Sequence, residues 1–256
     1  YIQHLHALRG FAILNVVGAH AWSFMIFWTG GLSLNVSTGV SNGIGNDGLK
    51  WLFWLTETIF HGSTIYFVLI SGVLFSQILS GRSWHSFYQS KLTNVVMPYV
   101  VISFVMTGLY WQYVLQDPTV NNTVIDYLKV GTTNIITGKA SVHFWYIPVL
   151  MVMFLMTPLL VSIQQRSLVL TWLLILIPLV ISRSPFPDFL KPQSFVFFIG
   201  VYMLGLVVGQ HYGKVKQWLS EYQLLLYLIA AVSSVALFML YAYGYKASGL
   251  YSIRQT

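Results

Sequence analysis

The chain has 256 residues, of which 56% are hydrophobic and only 7% charged. A soluble domain carries about 25% charged residues because its surface meets water, so this composition excludes a soluble globular protein and requires lipid around the outside. The net charge of +7 is scattered along the chain rather than run together, which points to loop ends beside anionic lipid and not to nucleic acid.

Seven apolar segments are predicted, so the fold class is all-α: a polytopic membrane helical bundle with at least seven transmembrane helices. The first runs from Leu8 to Trp28, too long and too Trp-rich for a cleaved signal peptide. A Gly/Ser/Asn-rich loop leads to the second, Trp51 to Leu79, whose first half is semi-polar. The third is predicted from Asn94 to Leu115, with Pro98 where a helix start tolerates proline. The fourth covers His143 to Ile163 and the fifth Leu168 to Ile181, which is short for a bilayer core of about 30 Å. The sixth covers Phe195 to Gln210 and the seventh Leu224 to Tyr243. Within the sixth, Gly205 and Gly209 have the small-xxx-small spacing of helix packing.

Orientation follows basic residues in short loops. With the N-terminus inside, Arg9, Arg82, Lys91, Arg166, Lys214 and Lys216 are inner, with the loop Gly81 to Thr93 and the turn Gln164 to Ser167 both brief. Lys50, Lys129, Lys139, Arg183, Lys191, Lys246 and Arg254 are then outer, on loops that include the long polar stretches Thr29 to Lys50 and Gln116 to Val142. Their raw number does not choose a side; their density in the short loops favours an inner N-terminus.

An ionisable residue within an apolar span is costly and marks a candidate site. In the first span Arg9 and His20 are eleven residues apart, about three helical turns, so both project from one face, roughly 16 Å apart along the axis. Asn15 lies off that line. On these residues alone, a positive-inside anchor and a satisfied core histidine explain the pair better than a catalytic site does. Glu57 and His61, at i and i+4, share a helical face; they form either an acid/base or glycan-binding pair or a stabilising bond at a helix end. His143 and Trp145 either line a site, with the indole on a sugar face, or anchor the interface. The absence of Cys excludes disulfides, thiolate metal sites and a cysteine acyl-enzyme. No pair of histidines has a zinc-protease spacing, so no metal is expected.

Four stretches, in register, resemble the acyltransferase-3 family of multi-spanning membrane proteins. HALRGFAILNVVGAHAW is similar to its Arg-x10-His signature, with Arg9 and His20. FHGSTIYFVLISGVLF (Phe60 to Phe75) resembles its second-span pattern, in which aromatics precede a Ser-Gly pair, here Ser71-Gly72. FYQSKLTNVVMPYV (Phe87 to Val100) resembles its basic loop leading into a Pro-Tyr helix start, and HFWYIPVLM (His143 to Met151) its His-aromatic-Trp-aromatic start to a later span. A last stretch, from Phe195 to Tyr222, is similar to a narrower branch: the proteins of biofilm operons that modify poly-N-acetylglucosamine, described both as O-succinyltransferases and as exporters.

The resemblance implies a membrane O-acyltransferase of the bacterial cytoplasmic membrane, multi-pass. It would move an acetyl or succinyl group from cytoplasmic acyl-CoA to a hydroxyl of a cell-surface polysaccharide or glycan. It implies His20 and Arg9 as catalytic residues, and Arg9, Arg82 and Lys91 as the cationic site for acyl-CoA. Glu57, His61, His143 and Trp145 are expected on the acceptor. Acyl-CoA is a donor substrate and not a bound cofactor; the other partners expected are the glycan, the lipid bilayer and polysaccharide synthase machinery, with no nucleic acid. One departure is that Lys91 is followed three residues later by Asn94, where the family often has Arg-x-x-Arg, so the loop offers a point charge in place of a bidentate fork. The family has about ten spans and Tyr1 is not an initiator Met. Residues 1–256 are therefore expected to be a single transmembrane acyltransferase domain lacking its C-terminal helices and a few N-terminal residues. Two other functions compete: an exporter or flippase of polysaccharide or lipid-linked sugar, for which inverted repeats and buried carboxylates are the usual signs, and a non-catalytic synthase subunit.

Overall fold

A computed structural model describes residues 7–8, 10–18, 21, 55, 58–59, 63–79, 81, 83–141, 144–181, 183–184 and 190–242. Among the described residues the regular structure is helical, with no strand. Helical residues 10–18 (α1) precede α2 (Ser63–Leu74), which continues into a π-helical turn, Phe75–Leu79. Then come α3 (Trp84–Lys91), a second π-turn (Leu92–Val96) and α4 (Met97–Leu109). They are followed by α5 (Val124–Thr137), α6 (Tyr146–Arg166), α7 (Leu168–Val180), α8 (Pro192–Gln210), α9 (Tyr212–Glu221) and α10 (Gln223–Ala242).

Among the described residues four stretches are long and apolar enough to cross a bilayer: Trp84–Leu109, Tyr146–Arg166, Pro192–Gln210 and Gln223–Leu240. They correspond to the third, fourth, sixth and seventh predicted segments. The helices Thr64–Gln77 and Leu168–Val180 are apolar but shorter. Polarity is distributed as lipid requires. The buried residues include Asn15, Ser103, Thr107, Thr157, Thr171, Ser184 and Ser194, while α10 exposes Leu224, Tyr227, Leu228, Val232 and Val235. In water that apolar surface would drive aggregation; against acyl chains it is the ordinary exterior.

Three of the predicted boundaries differ. The basic loop Gly81 to Thr93 is largely helix: α3 begins at Trp84, where the Ser83 hydroxyl accepts from the Ser86 N–H. The third span therefore starts ten residues before Asn94. Pro98, with no N–H to give, is accommodated by the preceding π-turn, in which the Met97 N–H reaches back five residues to the Leu92 carbonyl. Thr93 Oγ1 and Asn94 Nδ2 donate to the Gln89 and Ser90 carbonyls at 3.0 and 2.8 Å, engaging acceptors where the ladder changes register. The predicted loop Gln116 to Val142 contains α5, and the polar stretch after Gln210 is α9.

The chain divides into two compact units, residues 1–77 with 163–256, and residues 78–162. In the first, α2 and α8 run parallel, the polarity expected of the second and sixth spans. A Cβ at Gly72 would lie 2.6 Å from the Tyr202 carbonyl oxygen, one at Gly205 would strike the Leu69 carbonyl, and one at Gly209 would lie 2.6 Å from Ser76 Cβ. The small-xxx-small expectation is borne out: without side chains at these points the two backbones touch. Ser76 Oγ donates to the Leu206 carbonyl at 2.9 Å, and Gln77 Nε2 to that of Gly209. Against α8, α7 lies antiparallel, with Pro178 and the Leu174 carbonyl facing Gly200.

In the second unit α5 folds back along α4. Tyr127, Gly131, Asn134 and Ile135, at helical spacing, make the contact. Tyr127 Oη donates to the Phe104 carbonyl at 2.7 Å, Asn134 Nδ2 to Thr107 Oγ1 at 3.0 Å, and Tyr99 Oη to the Ile135 carbonyl at 2.6 Å. The start of α5 is fixed by Thr123, the last residue of the Asn-Asn-Thr stretch, whose Oγ1 accepts the Asp126 N–H at 3.1 Å. In turn Asp126 accepts from the Thr123 hydroxyl and the Asn121 N–H, and it pairs with Lys129 at 3.5 Å. These bonds, that of Thr123 foremost, hold its carboxyl below the ordinary aspartate value.

Candidate active site

Of the residues the sequence singles out, Arg9, His20, Glu57, His61, Arg82 and His143 lie outside the described residues. Lys91 and Trp145 are described. The segment between Arg9 and His20 is helical over 10–18, the condition on which their expected common face rests. Within it Ala12 and Asn15 are buried, and Asn15 Nδ2 finds no acceptor among the described residues. Phe11 meets Tyr66 at 6.0 Å between ring centroids. This contact brings the stretch around Asn15 against the aromatic half of α2.

Two ends of the first unit can be told apart. At one, Arg183 Nη1 donates to Thr64 Oγ1 at 3.2 Å, and Ser194 Oγ accepts the Ser184 N–H at 2.9 Å. The start of α2, two residues after His61 in sequence, therefore shares its end with the α7–α8 connection and a guanidinium. At the other end Gln77 meets Gly209, and Gln164 Nε2 donates to Gln210 Oε1 at 2.6 Å. Arg183 was counted in the sequence only as a loop charge; its pairing with Thr64 spans 119 residues, and no local pattern signals it.

In the second unit Lys91 closes α3. Its ammonium stands 4.3 Å from the centroid of Phe154 and 5.5 Å from that of Phe87, a buried ring. Aromatic faces carry negative charge density and hold a cation there by about 0.5–2 kcal/mol depending on desolvation. The Tyr88 hydroxyl approaches the Phe154 carbonyl at 3.4 Å. Trp145 precedes α6, edge-on to Tyr146 at 6.1 Å. Behind it Gly138 ends α5 with φ +65°, and a Cβ there would strike Trp145 Cα, so this turn needs glycine for both its left-handed backbone and its close approach. Phe144 packs on Tyr99, 5.7 Å between centroids. Tyr99 is the third residue of α4, so the residues before α6 pack at the start of α4, ten residues or about 15 Å from its far end.

Residues 2–254 match the family described as Acyltransferase domain. The chain belongs to the acyltransferase-3 family. The match covers nearly the whole sequence, places the protein among membrane acyltransferases, and singles out no branch of the family. No curated protein and no solved structure matches it.

Within this acyltransferase three of the four family-like stretches have separable structural duties where they are described. Ser71-Gly72 serves packing: Gly72 admits the α8 backbone, and Ser71 Oγ bonds within its own helix to the Phe67 carbonyl at 2.7 Å. Pro98-Tyr99 follows the π-turn and ties α4 to α5. The aromatic residues before α6 pack on Tyr99 and Gly138. Lys91 is the described cation of the third stretch, set on aromatic rings near the end of its helix.

Proposed function

We propose that this acyltransferase moves an acyl group, acetyl or succinyl, from cytoplasmic acyl-CoA to a hydroxyl of a cell-surface polysaccharide or glycan. The family match over residues 2–254 carries the reading. The chemistry needs a base: His20, neutral within the bundle, takes the acceptor hydroxyl proton as the oxygen attacks the thioester carbonyl. The tetrahedral intermediate collapses, the C–S bond breaks, and the CoA thiolate takes the proton from His20 as it leaves, which restores the base. Arg9, Arg82 and Lys91 meet the phosphates of the donor from the cytoplasmic side. Glu57, His61, His143 and Trp145 orient the acceptor. The placement of Thr64 beside Arg183, and of Gln77 beside Gly209, supports an arrangement in which α2 has its start toward the glycan and its end toward the donor.

The test is acceptor-dependent CoA release by the purified protein in lipid nanodiscs. His20→Ala should lower it by about 10²–10⁴-fold while the variant remains folded. Turnover within twofold of wild type would remove His20 as the base. Glycan translocation into sealed vesicles without CoA release would establish the exporter instead.

A further inference from the structure

The helix α9 joins α8 to α10 with a single residue at each junction, His211 and Tyr222. Both neighbours are long and apolar enough to cross a membrane. The hydrogen-bond ladder hardly pauses at either junction: Val215 N–H reaches the His211 carbonyl at 3.0 Å, and Leu226 N–H that of Tyr222 at 2.9 Å. Ten residues span about 15 Å, so α9 is too short to cross and too tightly tied to leave the membrane surface.

Its side chains sort by face. At 100° per residue, Tyr212, Val215, Trp218, Leu219 and Tyr222 fall within an arc of about 120°. Gly213, Gln217, Ser220 and Glu221 occupy the far side, and Lys214 and Lys216 flank the apolar arc on opposite borders. Trp218, Leu219 and Tyr222 are each about half exposed, at 51%, 45% and 46%, so the described residues leave this part of the arc uncovered, while Tyr212 and Val215 are partly buried. The rings of Trp218 and Tyr222 meet at 5.5 Å, and such amphipathic aromatics favour the headgroup boundary. Lysines beside an apolar arc can lay their stems on it and raise their ammonium groups to the headgroups.

We propose that α9 is an in-plane surface helix that seats the connection between two spans in the headgroup layer and binds anionic phospholipid through Lys214 and Lys216. Its apolar arc faces the acyl chains, and the Gln217 and Glu221 side faces water. An amphipathic helix with basic borders is held by buried apolar area together with attraction to anionic lipid.

Because the chain has no Cys, Val215→Cys and Gln217→Cys can each carry a single fluorophore, in nanodiscs of phosphatidylcholine and phosphatidylglycerol. Nitroxide lipids labelled near the headgroup should quench position 215 and aqueous iodide should not; position 217 should behave in the opposite way. Equal quenching at both positions overturns the in-plane seating. Shielding of position 215 from both quenchers overturns it too, since protein and not lipid then covers the arc. Brominated phosphatidylglycerol should quench position 215 more than brominated phosphatidylcholine at equal fraction. Lys214→Gln and Lys216→Gln should each lower that preference about fivefold. A preference unchanged in the double variant, still monodisperse on gel filtration, overturns the lipid assignment.

Discussion

In the first unit α2 and α8 meet backbone to backbone, at Gly72, Gly205 and Gly209. In the second, α4 and α5 meet through the hydroxyls and amide of Tyr99, Thr107, Tyr127 and Asn134. A contact between helices in lipid cannot draw on the hydrophobic effect, because lipid tails are as apolar as the side chains they replace. The glycine interface gains dispersion and has no flexible part that can give way. The polar interface gains several modest hydrogen bonds, each replaceable. A bundle built this way has one rigid pair and one adjustable pair, and substitutions should tell them apart.

The largest effect is expected at the glycines. Gly72→Leu forces a side chain into the Tyr202 carbonyl and the Leu206 N–H, which are backbone atoms, and should cost about 3 kcal/mol or more. SDS unfolding of the reconstituted protein measures it. A tolerated Leu would show that the α2–α8 contact is not tight in the bilayer.

Asn134→Leu removes one bond of the α4–α5 set and should cost about 0.5–1.5 kcal/mol by the same measurement, the net range for an intramolecular hydrogen bond. A loss equal to that of Gly72→Leu would erase the contrast between the pairs. Lys91→Met keeps most of the stem but removes the cation above Phe154 and Phe87, at about 0.5–1 kcal/mol. If Lys91 also meets the donor, the KM for acyl-CoA rises severalfold in this variant, whereas Asn134→Leu leaves it unchanged.

The smallest effect concerns pH. Asp126 has its carboxyl depressed below the ordinary aspartate value, first by the Thr123 hydroxyl, and Asp117 is likewise depressed by Thr119. A depressed folded-state value stabilises the fold above the unfolded value and loses that contribution as pH falls through the folded one. The start of α5 should therefore keep its order from pH 8 to pH 5 and loosen only below about pH 4, read from the mobility of a spin label at Val124→Cys. Loosening near neutrality would show that these bonds do not hold the helix start.

Much of the architecture was legible because it follows from composition. Long runs without charge must be helices in lipid, so among the described residues four spans emerge, three of them within a few residues of their predicted positions and the third starting ten residues and ending six residues earlier than predicted. The brief turn at Gln164 to Ser167 is present as the Ser167 cap between α6 and α7. Apolar segmentation missed α3, α5 and α9 because each mixes polar and apolar residues; period, not mean hydropathy, identifies such helices. The family-like stretches pointed to acyl transfer without revealing their local duties. Ser71-Gly72 reads as a motif but acts as a packing surface, which requires knowing that Tyr202 lies opposite.

By itself the sequence determined the all-α membrane character, the family and the packing use of Gly205 and Gly209, since each depends on composition or on spacing within one stretch. Tertiary structure decided which helices pair and with what polarity. It turned α5 back along α4, joined Arg183 to Thr64 and set Lys91 on Phe154. Those partners lie tens of residues apart, and a hydrogen bond or a cation above a ring forms only where folding brings the two groups within a few ångströms.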